Sequence, residues 1–215
     1  MTALAFHDSV LIGICTFRRP ELAATLASLE ELTPCGLPVA VAIADNDDQP
    51  SARDMVQTIA AGHSLPVTYI HAPKANISIA RNALLDHARA TGALLLVYLD
   101  DDETVEPDWL KHLVQARQNT GAGAILGPVR AHYLPDAPIW MDRARAHDTL
   151  PVLGKDGVIT SGYTCNVLVN LSGSGGSQPA VRPGPGPLGW GRQCLFCRFF
   201  DCGGADCLCA RRIGA

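Results

Sequence analysis

The chain has 215 residues, of which 47% are hydrophobic and 18% charged, and its formal net charge is -4. That apolar fraction supports a buried core and excludes wholesale disorder, and the length suits one domain with or without an appendage. The acidic balance disfavours a protein that lives on counterion release from nucleic acid, and the longest apolar run, eight residues at 92–99, falls far short of the roughly 20 that a spanning helix needs.

Taken in chain order, apolar runs alternate with helical patterns. Residues 10–15 read as a buried strand. Pro20 then opens a helix in which Leu22, Leu26 and Leu29 recur at helical spacing, with Glu21 in its first turn. Residues 39–44 form a second strand. Ser51 is placed to cap a helix that runs to Ala61 and closes at Gly62. Residues 67–71 make a short third strand. Asn76 caps a helix carrying Ile79, Ala83, Leu84 and Ala88, closed by Gly92. Residues 93–99 are a fourth strand that runs directly into Asp100, Asp101, Asp102 and Glu103. Pro107 starts a helix over 108–119 that Gly121 closes, and residues 124–133 read as a fifth strand. This order predicts an α/β sandwich with a mostly parallel sheet, whose ligands bind beyond the carboxyl ends of the strands.

The composition changes near residue 170. Residues 1–170 hold 12 Lys+Arg and 19 Asp+Glu, net -7, whereas residues 171–215 hold five Arg and two Asp, net +3. Fourteen of those last 45 residues are Gly or Pro, and five of the eight cysteines (Cys194, Cys197, Cys202, Cys207 and Cys209) lie there. Cys194 and Cys197 have metal-ligand spacing, but the remaining intervals match no common zinc or iron–sulfur pattern. The tail therefore reads as a disordered, cysteine-bearing segment rather than a metal knuckle. At the other end, residues 1–10 have neither a basic stretch nor a long apolar one, so no secretory signal is read there. The expected location is the cytoplasm, with peripheral attachment to a membrane left open.

The residues with chemistry sit at the predicted strand ends. Four consecutive acids after an apolar strand either fan into water or hold a cation. Mg2+ and Mn2+ prefer such oxygen ligands and keep places for substrate phosphates. Asp45-Asn46-Asp47-Asp48 is either a plain Asx-rich turn or a turn whose Asp45 accepts hydrogen bonds from a nucleoside. Arg18 and Arg19 are either surface charges or partners of a diphosphate. Arg81 either lies on a helix surface or turns to the acidic mouth. Cys15 and Cys165 read as small core residues, and Cys35 as a loop residue. His132, His147 and Trp140 are equally placed for an acceptor groove or for loop packing.

Together, Ile14-Cys15-Thr16-Phe17-Arg18-Arg19-Pro20, Ile43-Ala44-Asp45-Asn46, Asn76-Ile77-Ser78-Ile79-Ala80-Arg81-Asn82 and Tyr98-Leu99-Asp100-Asp101-Asp102-Glu103 resemble a family 2 glycosyltransferase. Gly127-Pro128-Val129-Arg130-Ala131-His132-Tyr133, Pro138-Ile139-Trp140-Met141 and Gly162-Tyr163-Thr164-Cys165-Asn166 are similar to bacterial exopolysaccharide glucosyltransferases of the succinoglycan type. The resemblance covers residues 8–170. It implies a GT-A-like, Rossmann-related α/β/α sandwich and an inverting transfer of a hexose, glucose from UDP-glucose, to a lipid-linked oligosaccharide. It implies Mg2+ or Mn2+ as cofactor and no nucleic-acid partner. Carried over, Thr16, Arg18, Asp45, Arg81, Asp100 and Asp101 fall at nucleotide-sugar positions. Asp100 and Asp102 fall on the DXD-type metal motif, and Asn166 on the acceptor side. The resemblance also calls for a carboxylate base in a Gly-Glu-Asp-like segment after Asn166. No Glu follows Glu106, and the only later acids in the tail are Asp201 and Asp206, so the catalytic residue is left unassigned. Residues 171–215 accordingly read as out-of-frame translation joined to an incomplete transferase domain, which opens the alternative of a non-catalytic nucleotide-sugar-binding remnant; a nucleotidyltransferase on a similar scaffold is a separate alternative, disfavoured because the loop at 15–20 has no glycine.

Overall fold

The computed structural model describes residues 9–133, 137–145, 147–153 and 159–172. The tail from residue 173 onward, with the expectations attached to it, lies outside the described residues.

Four βα units open the chain: β1 (Val10–Thr16), α1 (Leu22–Leu29), β2 (Val39–Asp45), α2 (Arg53–Ala60), β3 (Val67–His71), α3 (Ile77–Thr91), β4 (Leu95–Asp100) and α4 (Trp109–Thr120). Then follow β5 (Ala124–Leu126), α5 (Ile139–Ala144), β6 (Val152–Leu153), β7 (Ile159–Ser161) and β8 (Asn166–Asn170). The main sheet has the order β3-β2-β1-β4-β8-β5. β1 to β4 are parallel, and β8 is antiparallel to both of its neighbours. β6 and β7 form a separate two-stranded ribbon.

Both faces of the sheet are covered, which is why the central strands are apolar at nearly every position. Alternate side chains split between two cores. Ile12, Ile14, Val41, Ile43, Val97 and Leu99 pack with Leu22 and Leu26 of α1, Val56 of α2 and Leu110 and Leu113 of α4. Leu11, Ala42, Leu96, Tyr98, Val167 and Val169 pack with Ala80, Leu84 and Ala88 of α3. Gly13 is what lets α3 lie close: a Cβ there would stand 3.1 Å from Leu84 Cδ1 and 3.2 Å from Leu96 Cδ1.

The helix ends show which local signals hold. Asn76 caps α3 by accepting the Ser78 N–H at 3.0 Å, and Gly92 and Gly121 end α3 and α4 in the left-handed region. Ser51 does not cap α2. The helix starts at Arg53 after Ala52, whose N–H is taken by Asp45 Oδ2 at 2.9 Å. The expected long fifth strand is also shorter, because β5 ends at Leu126. Gly127 then packs its backbone against the Asn166 amide, and Pro128 has no N–H to continue a ladder. β8 takes the place between β4 and β5 that a parallel strand would have had. Among the described residues, no helix is long and apolar enough to cross a membrane.

Candidate functional site

The parallel strands deliver their C-terminal ends to one rim, and β8 starts at the same rim because Asn166 pairs with Leu99. Three loops close around it: 17–21 after β1, 46–52 after β2 and 101–108 after β4.

The second loop is built on Asp45. Its side chain is fully buried. Oδ1 accepts the Asp47 N–H at 3.1 Å, and Oδ2 accepts the Ala52 N–H at 2.9 Å and the Tyr69 hydroxyl at 2.8 Å. The Arg53 guanidinium lies over the Tyr69 ring, 5.5 Å from its centroid. Asp45 thus faces inward and is engaged on both oxygens by the chain itself. Asp47, held in place by that turn, receives Arg18 in a two-pronged ion pair of 2.7 and 2.9 Å. Arg18 sits in the left-handed region at φ 55°, and it holds the Asp47 carboxyl well below the usual carboxylate range. The loop after β3 is fastened to the same turn: Ala75 N–H donates to Asn46 O, Asn76 N–H to Asn46 Oδ1, and Lys74 N–H to Asp48 Oδ1.

Helix α1 holds the acidic loop. Thr25 Oγ1 donates to Asp101 O at 3.0 Å, and Ser28 Oγ accepts the Val105 N–H at 3.2 Å. Thr33 Oγ1 donates to Asp108 Oδ1 at 2.6 Å. Sequence periodicity presents Thr25 and Ser28 only as polar interruptions of a helix, so their role in holding this loop was not visible in it.

After Asp100 the chain turns, with the Glu103 N–H donating to Asp100 O at 3.3 Å. The turn also brings Glu103 beside Asp100. Ligand atoms of Asp100, Glu103 and Cys165 lie within 4.8 Å of one another. Asp102 forms a half-exposed ion pair with Arg19 at 3.1 Å and still adds its charge to Asp100 and Glu103. Cys165 was expected in the core. It lies instead at the mouth, with Thr149 Oγ1 at 3.9 Å from its sulfur. Cys15, by contrast, does pack against the core around α3.

The electrostatics of this group are those of crowded acids. Burial raises Asp100, with the neighbouring aspartates adding and Arg81 opposing. Burial likewise raises Asp101. Glu103 is pushed up to about 8 by burial and by Asp100 and Asp102. Cys165 is pushed up to about 12 by burial, with Glu103 and Asp100 adding. Thr16 Oγ1, fully buried at the end of β1, lies beside the Asp101 carboxylate but has no hydrogen-bond partner of proper geometry among the described residues. Crowded carboxyl groups that Arg81 and Arg19 only partly offset, with a buried hydroxyl on the same rim that is unpaired among the described residues, fit a divalent cation and a polar ligand.

A pH dependence follows. Glu103 in the unfolded chain ionises near its ordinary 4.5, whereas in the folded chain it keeps its proton to about 8. Between those values the native state binds more protons than the unfolded one, so stability of the metal-free protein falls as pH rises. Asp100 and Asp101 act in the same direction. Urea unfolding at about pH 5 and about pH 8 checks this: Glu103→Gln is expected to flatten the decline and to exceed the parent at the higher pH. Parallel slopes for parent and variant would refute it.

Asn166 is buried, and its amide is turned inward. Oδ1 accepts the Trp109 Nε1–H at 3.0 Å, and Nδ2 donates to Pro128 O at 3.1 Å. It ties α4 to the loop after β5. His147 Nδ1 pairs with the Tyr133 hydroxyl at 3.0 Å, and Trp140 is exposed on α5.

A mostly parallel sheet with an acidic loop after β4 and one antiparallel strand inserted beside it is the GT-A type of glycosyltransferase fold. Solved structures share the overall fold. The Pyrobaculum calidifontis mannosyltransferase PcManGT in complex with GDP-Man and Mn2+ matches with a TM-score of 0.56 at 15% identity, over 77% of this chain and 45% of that one. S. aureus TarS 1-349 matches with a TM-score of 0.51 at 16% identity, over 75% of this chain and 47% of that one. The family described as glycosyl transferase family 2 matches residues 11–172, and the chain belongs to that family. The succinoglycan biosynthesis protein ExoM of Rhizobium meliloti (strain 1021) is 52% identical over 159 residues, which are 74% of this chain and 50% of that protein. The chain thus spans about half the length of this relative.

Proposed function

We propose that the chain uses UDP-glucose as donor and transfers glucose, with inversion, to a lipid-linked oligosaccharide in exopolysaccharide assembly at the cytoplasmic face of the membrane. The observation that carries this reading is the convergence of half-buried carboxyl groups at the end of β4 in a family 2 fold. The 52% identity to a succinoglycan biosynthesis protein supports the exopolysaccharide setting. A fold neighbour solved with GDP-Man and Mn2+ supports a nucleotide sugar and a divalent ion, and a structure of TarS 1-349 with UDP-GlcNAc (TM-score 0.50, 15% identity) supports a uridine nucleotide.

On this reading Asp100 belongs to the metal site in every arrangement, with Asp102 able to join once Arg19 releases it. When bound, Mg2+ or Mn2+ supplies positive charge against the diphosphate leaving group. Thr16 offers its free hydroxyl, and Arg81 offsets the charge of Asp100. Arg18 contributes to the nucleotide side through the turn it shares with Asp47. Asp45 acts from behind that turn, and Asn166 acts by fixing the loop on the acceptor side.

Transfer of label from UDP-glucose, but not from GDP-mannose or UDP-N-acetylglucosamine, to a lipid-linked acceptor is the expected result. Equal transfer from all three donors would overturn the donor assignment.

A second reading has its own observation. No Glu follows Glu106 in the sequence, and the only acids after Asn166 are Asp201 and Asp206. Residues 171–215 are then read as an out-of-frame segment on an incomplete domain, and the chain as a remnant that binds donor and does not turn over. The gene sequence after codon 170 tests this: a shifted frame should restore a Glu-Asp-containing continuation. The nucleotidyltransferase alternative loses support because the loop after β1 contains no glycine and its Arg18 is already engaged by Asp47.

A further inference from the structure

The loop after β1 sends an arginine to each of the two acidic loops, and the two pairings differ in strength. Arg18 takes the left-handed region at φ 55°, and the successive side chains go to different loops: Arg18 to Asp47 after β2, and Arg19 to Asp102 after β4. Arg18 makes two bonds of 2.7 and 2.9 Å to a carboxylate that is 4% exposed. Such a fork is fixed by geometry as well as by charge. Arg19 makes a single ion pair of 3.1 Å, with 45% of its own side chain and 43% of the Asp102 side chain exposed. A pair of that kind contributes little and opens easily. Its reach is wider than one acid, however. Burial raises Asp100 and Asp101, and Arg19 opposes that rise at both. Arg19 thus offsets all three aspartates of the loop, with Arg81 added at Asp100. On the same rim the Thr16 hydroxyl is buried, unpaired among the described residues, and beside Asp101. This second feature points to a polar ligand at the same place.

Resting on the donor-site reading above, we propose that Arg19, and not Arg18, is the arginine that takes the diphosphate of a nucleoside diphosphate, and that its pair with Asp102 couples donor binding to divalent-ion binding. With neither ligand bound, Arg19 is the counterion of the acidic loop. A dication arriving there meets a positive charge already in place and a carboxylate already occupied. A diphosphate gives Arg19 another anion to pair with, which frees Asp102. Each ligand therefore removes part of what opposes the other, and Arg19 passes between two anions with no covalent bond changed. Arg18 is unsuited to this exchange, because leaving Asp47 abandons a nearly buried carboxylate.

Calorimetry with UDP and Mn2+, each alone and each in the presence of the other, tests this without any sugar transfer. Both side chains are half-exposed, so their replacement leaves the core intact, and urea midpoints confirm that each full-length variant is folded. The parent should bind each ligand more tightly when the other is present. Arg19→Gln should bind Mn2+ alone about threefold more tightly, a change on the scale of one exposed ion pair. Its UDP affinity should fall about threefold without Mn2+ and about tenfold with it, so the coupling between the two ligands drops about threefold. Arg19→Lys keeps the charge and should return Mn2+ affinity to near the parent's. Asp102→Asn frees Arg19 and should tighten metal-free UDP binding about threefold. That gain should vanish when Arg19→Gln is already present. Arg18→Gln should weaken UDP to the same extent with and without Mn2+ and leave the affinity for Mn2+ alone unchanged.

Mn2+ bound no more tightly by Arg19→Gln than by the parent, or a UDP loss of one size with and without Mn2+, overturns the exchange and leaves the donor-site reading intact. A larger Mn2+-dependent loss for Arg18→Gln than for Arg19→Gln gives the diphosphate to the other arginine and overturns the proposal as well. A parent chain that binds UDP in neither condition removes the donor-site reading and this inference with it.

Discussion

Asp45→Ala is expected to lower the stability of the folded chain by about 3–5 kcal/mol, a large share of what holds a domain of this size together. The carboxylate satisfies three donors at once: the Asp47 N–H, the Ala52 N–H and the Tyr69 hydroxyl. Truncation strips the first turn of α2 of its cap, worth about 1 kcal/mol. It also leaves buried or half-buried donors without acceptors, at about 1–3 kcal/mol for a buried one. Urea unfolding of parent and variant measures the difference. Tyr69→Phe removes one of the three bonds and should cost only about 1 kcal/mol, and its effect should shrink when Asp45 is already gone. Asp45→Asn retains one acceptor but turns an NH2 toward donors, so it should fall between parent and alanine. A loss below about 0.5 kcal/mol for Asp45→Ala would show that the carboxylate is not the hub of this turn. The Arg18–Asp47 pair rests on the same turn, so weakened UDP binding should accompany the stability loss and be partly restored in Asp45→Asn.

What the sequence disclosed follows from how local each cause is. The four βα units were legible because strands covered on both faces are apolar throughout and because Asn76, Gly92 and Gly121 terminate helices by their own chemistry. The cap of α2 was not, since its acceptor lies seven residues upstream at the end of β2. A five-residue segment such as Asn166–Asn170, with three apolar residues between two asparagines, carries no sign of strand direction, so the antiparallel insertion of β8 could not be read. The acidic cluster was evident, but its membership was not. The motif that the sequence resembles names positions 100 and 102, and only the turn that follows β4 shows that 103 also comes close to 100. Cys165 was invisible as a site residue because only the sheet brings it to a loop more than sixty positions earlier. An Asx-rich turn likewise gives no indication of whether its first carboxylate faces a ligand or, as Asp45 does, the protein.

Asp100→Asn separates function from stability by sign. The replacement is nearly isosteric and removes a charge that burial and its acidic neighbours already disfavour. The metal-free variant should therefore be as stable as the parent or more stable, and the gain should grow as pH rises through the range in which the folded Asp100 carboxyl ionises. On the donor-site reading the same change removes the carboxylate common to both candidate metal sets. Turnover should fall about 10²–10³-fold, the scale seen when one electrostatic contact to a developing charge is lost, and UDP affinity should cease to depend on added divalent ion. Calorimetry of UDP with and without Mn2+ reads the second effect even if the chain proves catalytically silent. A damaged fold would lower stability and binding together, whereas a lost binding group raises one and abolishes the other. An Asp100→Asn variant that binds UDP with the parent's dependence on Mn2+ would show that the end of β4 is not where the ion and the diphosphate meet.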